Sequence, residues 1–128
     1  MKIHTLLAVI AFMFVGSALA ADDHNHGHEH KPMHGGIVVE AKDVDYELVA
    51  NATAVQLHLR DHGKPVDVSQ ASAKLTMLTG TQRQVVDLKP AGNKLEATGA
   101  FEVGPGTKVV AIVTIAGKLA GTVRFSIK

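Results

Sequence analysis

From residue 37 onward the chain is a succession of short β-branched runs broken by Gly, Pro, Asn and Asp, and the best-defined runs alternate with period two. Helical periodicity is absent throughout, which confines the chain to all-β folds. The candidate strands are 36–41, 45–50, 54–60, 73–78, 82–88, 94–98, 108–115 and 119–127. Their breaks carry turn chemistry: Asp61-His62-Gly63-Lys64-Pro65, Thr79-Gly80, Pro90-Ala91-Gly92-Asn93, Gly104-Pro105-Gly106 and Ala116-Gly117-Lys118. In the last run Leu119, Val123, Phe125 and Ile127 share one parity, and Thr122, Arg124, Ser126 and Lys128 the other, as one buried and one wet face require. Residues 109–115 are apolar on both parities, which predicts a central strand. About eight short strands at this spacing predict an antiparallel β-sandwich, immunoglobulin-like, over residues 34–128, in preference to a closed barrel.

The first third of the chain reads differently. Lys2, an apolar stretch from residue 6 to residue 15, and the small residues of Gly16-Ser17-Ala18-Leu19-Ala20 form the three parts of a signal peptide, with cleavage expected after Ala20. The alternative is an uncleaved anchor, but the stretch is only just long enough to span a bilayer and ends in an Ala-x-Ala site. Residues 1–20 are therefore expected to direct export and, once removed, to leave the protein without a membrane segment. Residues 21–33 then change abruptly to Ala-Asp-Asp-His-Asn-His-Gly-His-Glu-His-Lys-Pro-Met. Such a segment cannot offset its ordering entropy by burial, so a disordered His-rich tail is expected there.

Charge and composition exclude some functions. Without Lys2 the Lys+Arg count falls from 13 to 12, matching the 12 Asp+Glu, so nothing attracts nucleic acid. The aromatics after residue 20 are Tyr46, Phe101 and Phe125, too few for a single-strand stacking surface. With no Cys in the chain there is neither a disulfide framework nor a thiolate ligand. A nucleophile elbow, a His-Glu-x-x-His helix and a P-loop are all absent, so the protein is not expected to be an enzyme.

Any metal must then be held by imidazole, carboxylate or thioether. His24, His26, His28 and His30 alternate with Asn25, Gly27 and Glu29, and neutral imidazole is the commonest ligand for Zn, Cu and Ni. In an extended chain His-x-His sets side chains roughly 6–7 Å apart on one side, and a Gly-containing segment can fold them onto one ion. The bland alternative is a solubilising leader with incidental metal affinity. Zn, Ni, Co and Cu(II) all suit this donor set, and Met33 beside His34 adds a thioether that keeps copper open.

A second cluster is His58, Asp61 and His62. Val55, Leu57 and Leu59 take the buried parity, so His58 is expected to face solvent. Four extended residues separate His58 from His62 by roughly 13 Å, too far to share an ion unless the chain curls at Asp61-His62-Gly63. Asp61 and His62 otherwise read as ordinary turn residues, and Met77 reads as core.

The stretches Pro32-Met33-His34-Gly35-Gly36-Ile37-Val38-Val39-Glu40, Asp45-Tyr46-Glu47-Leu48-Val49 and Leu57-His58-Leu59-Arg60-Asp61-His62-Gly63-Lys64-Pro65 resemble small His-rich proteobacterial periplasmic proteins. They are also similar to an extra domain at the N-terminus of periplasmic adaptor subunits of heavy-metal (RND-type) efflux pumps. The resemblance implies a periplasmic location, a link to metal efflux or buffering, and His34 with the preceding histidines as the ligand region; it implies no catalytic residue.

Together these readings lead to an expected periplasmic protein that binds, buffers or delivers divalent transition-metal ions, with an efflux adaptor as a possible partner. The competing expectation is a non-catalytic interaction module of the cell envelope whose His tail is incidental.

Overall fold

The computed structural model describes residues 30–128. Its nine strands are β1 (Ile37–Ala41), β2 (Val44–Ala50), β3 (Ala54–Asp61), β4 (Lys64–Pro65), β5 (Ala71–Thr79), β6 (Gln82–Ala91), β7 (Lys94–Thr98), β8 (Lys108–Ile115) and β9 (Lys118–Ser126). All pairings are antiparallel, in the order β1-β2-β3-β7-β6-β5-β8-β9, with β4 attached to β3. The expected all-β, immunoglobulin-like sandwich is the fold seen.

Its two layers share one long strand. The first part of β6, Gln82 to Leu88, pairs with β5, while Lys89 to Ala91 pairs with β7, so β6 bends from one sheet into the other. Strands β5, β6 and β7 are joined in succession, and β8 returns to lie beside β5, which is the Greek-key order. At the two ends of the path β1 and β9 lie alongside each other, so the sandwich curls toward a barrel.

Local chemistry sets the register. Lys42-Asp43, His62-Gly63 and Ala116-Gly117 all carry positive φ at both positions, the type I′ conformation whose twist matches that of the flanking strands. Between β2 and β3, Asn51 Oδ1 accepts from the Thr53 and Ala54 amides, closing the turn with a side chain. Inward-facing residues of both layers meet in one core that includes Tyr46, Leu57, Leu75, Met77, Leu88 and Phe125.

Two expectations are corrected by this arrangement. Leu119 was placed with Val123 and Phe125 on the buried face, yet it is 64% exposed. The β8/β9 ladder shifts register between Val113 and Thr114, so Gly121 pairs with Val113 while Leu119 pairs with Thr114, and the bulge turns Leu119 outward. His58 was expected to face solvent, yet it is buried. Its parity is outward as expected, but residues 30–36 lie over that face of the sheet. The central placement of residues 109–115 agrees with β8, which is paired on both sides.

Candidate functional site

The outer face of β1, β2 and β3 positions the site. Register places Glu40 opposite Asp45 and Asp45 opposite Arg60, and in the next row Val38 opposite Glu47 and Glu47 opposite His58. Residues on one face of paired strands are neighbours, so carboxylates, a guanidinium and an imidazole are brought together here.

Glu47 is the centre of the arrangement. Its side chain is fully buried, and its carboxylate accepts hydrogen bonds from the Met33 amide (2.9 Å), the His34 amide (2.8 Å), the Gly36 amide (2.9 Å) and Arg60 Nη1 (3.1 Å). Arg60 in turn donates through Nη2 to the Lys31 carbonyl at 2.9 Å. One buried ion pair thereby holds both ends of the segment 31–36 against the sheet. Burial alone would push the Glu47 carboxyl up, but the three amides and Arg60 outweigh it and hold it at about 2.

The Gly35-Gly36 pair lets the segment approach this closely. Gly35 has φ +76, and a Cβ on Gly36 would stand 2.2 Å from the Leu48 carbonyl oxygen. Only glycine fits at position 36 while its amide still reaches Glu47.

Docking of the segment brings histidines to two places. At its start, His30 Nδ1 lies 2.8 Å from Asp45 Oδ1, and Nε2 lies 3.8 Å from Glu40 Oε1. Ligand atoms of His30, Glu40 and Asp45 fall within 4.8 Å of one another, a spacing compatible with a shared cation. Asp45 is buried, at 7% exposure, whereas His30 and Glu40 are exposed. Further along, the His34 ring stacks on His58 with centroids 3.7 Å apart and planes 12° from parallel. Burial, with the His34 ring next to it, lowers the His58 pKa and favours neutral imidazole; Lys94 and Arg60 act in the same sense and Glu47 opposes them.

The other predicted residues are placed as follows. Met33 is exposed and lines the same cavity as His34 and His58. His62 occupies the turn after β3, bonded to the Asp61 carboxylate, and lines a different cavity with Asp61 and Lys64. The structure does not bring it to His58. His24, His26 and His28, residues 1–20 and most of the 21–33 tail lie outside the described residues. His30 to Met33, read with the tail, are here laid on the sheet.

Glu40, Asp45, Glu47 and Arg60 were missed as site residues in the sequence. The available sign was parity: in Asp45-Tyr46-Glu47 and His58-Leu59-Arg60 the charged residues alternate with core residues, so they point out of the same sheet.

No protein-family model and no curated protein matches this sequence. Among solved structures the chain is similar to one described as "Crystal structure of Br derivative BhCBM56", with a TM-score of 0.41 and 10% identity, covering 72% of this chain and 99% of that one. A likeness at that level carries no argument about function.

Proposed function

We propose that this protein binds divalent transition-metal ions in the periplasm, collecting them with its histidine-rich segment and holding them where that segment meets the sheet. The observation that supports this reading is the group formed by His30, Glu40 and Asp45, whose ligand atoms lie within 4.8 Å of one another. One imidazole and two carboxylates suit Zn(II), Ni(II) or Co(II), and two negative charges offset a divalent cation. His30 is also the last of the four alternating histidines, so ions captured upstream can pass by ligand exchange to the buried Asp45 carboxylate. Delivery to an adaptor of a heavy-metal efflux pump is the use that the sequence resemblance suggests.

Isothermal titration of the purified protein with Zn(II), Ni(II), Co(II) and Cu(II), beside Asp45→Asn, tests the proposal. The expected result is at least about tenfold weaker Zn(II) binding in the variant with its fold retained by circular dichroism. Affinity should also collapse below about pH 6, where imidazoles protonate. Equal uptake at pH 5 and pH 7.5 would count against histidine ligation.

A second reading, the envelope interaction module, is favoured by the outer face of the other sheet. There Leu78, Val85 and Ile112 are exposed among Lys74, Arg83, Lys108 and Arg124, with Asp87 opposing them, a surface suited to an acidic protein partner. Deleting residues 21–30 separates the readings: a module keeps its partner without them, and a metal carrier loses its ions.

A further inference from the structure

The docked segment presents a second group of donors, and it differs from the first in charge. Met33, His34 and His58 line one cavity of about 270 Å³, walled also by Arg60, Pro65 and Asn93. Met33 is 68% exposed, whereas Met77 is fully buried in the core, so the Met33 thioether is not committed to packing. The donor atoms here are imidazole nitrogens and a thioether sulfur, all able to ligate as neutral groups.

The one cation lining the cavity, Arg60, is paired with Glu47 in a buried ion pair. No carboxylate lines this cavity, and the nearby Glu47 carboxylate is engaged by Arg60 and three amides. A divalent ion would bring two charges into a cavity that supplies no counter-charge, a monovalent ion only one. At His30, Glu40 and Asp45 the balance is opposite, with two carboxylates present. Thioether and imidazole are also the softer donors and carboxylates the harder.

We infer that Met33, His34 and His58 form a second metal site, selective for a soft monovalent cation of the Cu(I) or Ag(I) type, while His30, Glu40 and Asp45 take divalent ions. This rests on the reading of the protein as a metal binder. Stacked rings direct their nitrogen lone pairs along parallel planes, so joint coordination requires His34 to turn out of face contact with His58. The ring makes that turn by rotating about its side-chain torsions, with the His34 amide still held by Glu47. The chain thus sorts ions by charge and softness over five residues, 30 to 34.

The test uses the chain with His24, His26 and His28 replaced by Ala, so that upstream imidazoles do not compete. Ag(I) in chloride-free buffer and Zn(II) are titrated separately into this protein and into its Met33→Leu, His58→Gln and Asp45→Asn variants, with circular dichroism confirming the fold. The Met33 methyl resonance reports the sulfur directly. Met33→Leu and His58→Gln should each weaken Ag(I) at least about tenfold and leave Zn(II) unchanged. Asp45→Asn should do the reverse, and Ag(I) should shift the Met33 methyl. Ag(I) affinity indifferent to Met33→Leu, with an unmoved methyl, overturns the inference. Loss of both ions in Met33→Leu also overturns it, because it means one mixed site. Zn(II) binding indifferent to Asp45→Asn refutes the divalent reading instead, and the Ag(I) results still decide the soft site.

Discussion

A buried carboxylate is expensive to desolvate, and Glu47 is stable in its position only because four donors face it. Three of those donors are amides of a segment with no ladder hydrogen bonds of its own, so the charge on Glu47 organises a stretch of backbone that strand pairing does not. Glu47→Gln keeps the shape but leaves Arg60 buried without a counter-charge. The expected cost is about 3–5 kcal/mol of unfolding free energy, measured by urea denaturation at neutral pH. The acid dependence follows from the same residue. Its folded pKa of about 2 lies below the ordinary 4.5, so its contribution is fully present above about 4.5 and is lost as pH falls toward 2. That shift corresponds to roughly 3 kcal/mol, and Glu47→Gln should flatten the acid slope by that amount. An identical slope in the variant would show that other groups carry the acid transition.

At the scale of elements, β9 shows how one irregularity redirects a pattern. Its apolar residues alternate without a break in the sequence, but the register shift opposite Thr114 divides the strand into two phases. Leu119 therefore stands in solvent while Val123, at 2% exposure, packs in the core. Leu119→Lys should change stability by less than about 0.5 kcal/mol, and Val123→Ala should cost roughly 2 kcal/mol. Paired denaturation curves check this, and similar large losses in both variants would contradict the bulge. β2 and β3 show the complementary effect: an outward parity becomes an interior when another piece of chain lies over it, which is why His58 and Arg60 are buried despite facing away from the core.

Over the whole molecule, the two outer faces differ in charge balance. The face of β1–β3 carries Glu40, Asp45 and the buried Glu47 with Arg60 paired to Glu47, and that of β5, β6, β8 and β9 displays Lys74, Arg83, Lys108 and Arg124 with Asp87 among them. A formally near-neutral chain is in this way divided into a cation-attracting side, where the histidine segment enters, and an opposite side suited to anionic surfaces. The proposed export of the chain belongs at this scale too. Mass spectrometry of protein recovered from the periplasm of a Gram-negative host should find a chain beginning at Ala21. A mass that retains Met1 would count against a cleaved leader.

The all-β class, the positions of eight of the nine strands to within a few residues and the core parities of β3 and β5 were legible in the sequence, whereas β4 (Lys64–Pro65) reads there as part of a turn. They depend on local chemistry: β-branched alternation, and turn residues such as His62-Gly63 and Ala116-Gly117 that adopt positive φ. The histidines were legible as possible ligands for a similar reason, since imidazole chemistry belongs to the residue itself. Which groups meet was decided only by tertiary structure. Glu40, Asp45 and His30 converge because β1 and β2 pair in one register and residues 30–36 fold back over them. The stack of His34 on His58 exists because Glu47, 13 residues along the chain, binds the His34 amide and lies across the ladder from His58. Periodicity specifies the face a side chain takes, while register and the path of a covering segment specify its neighbours.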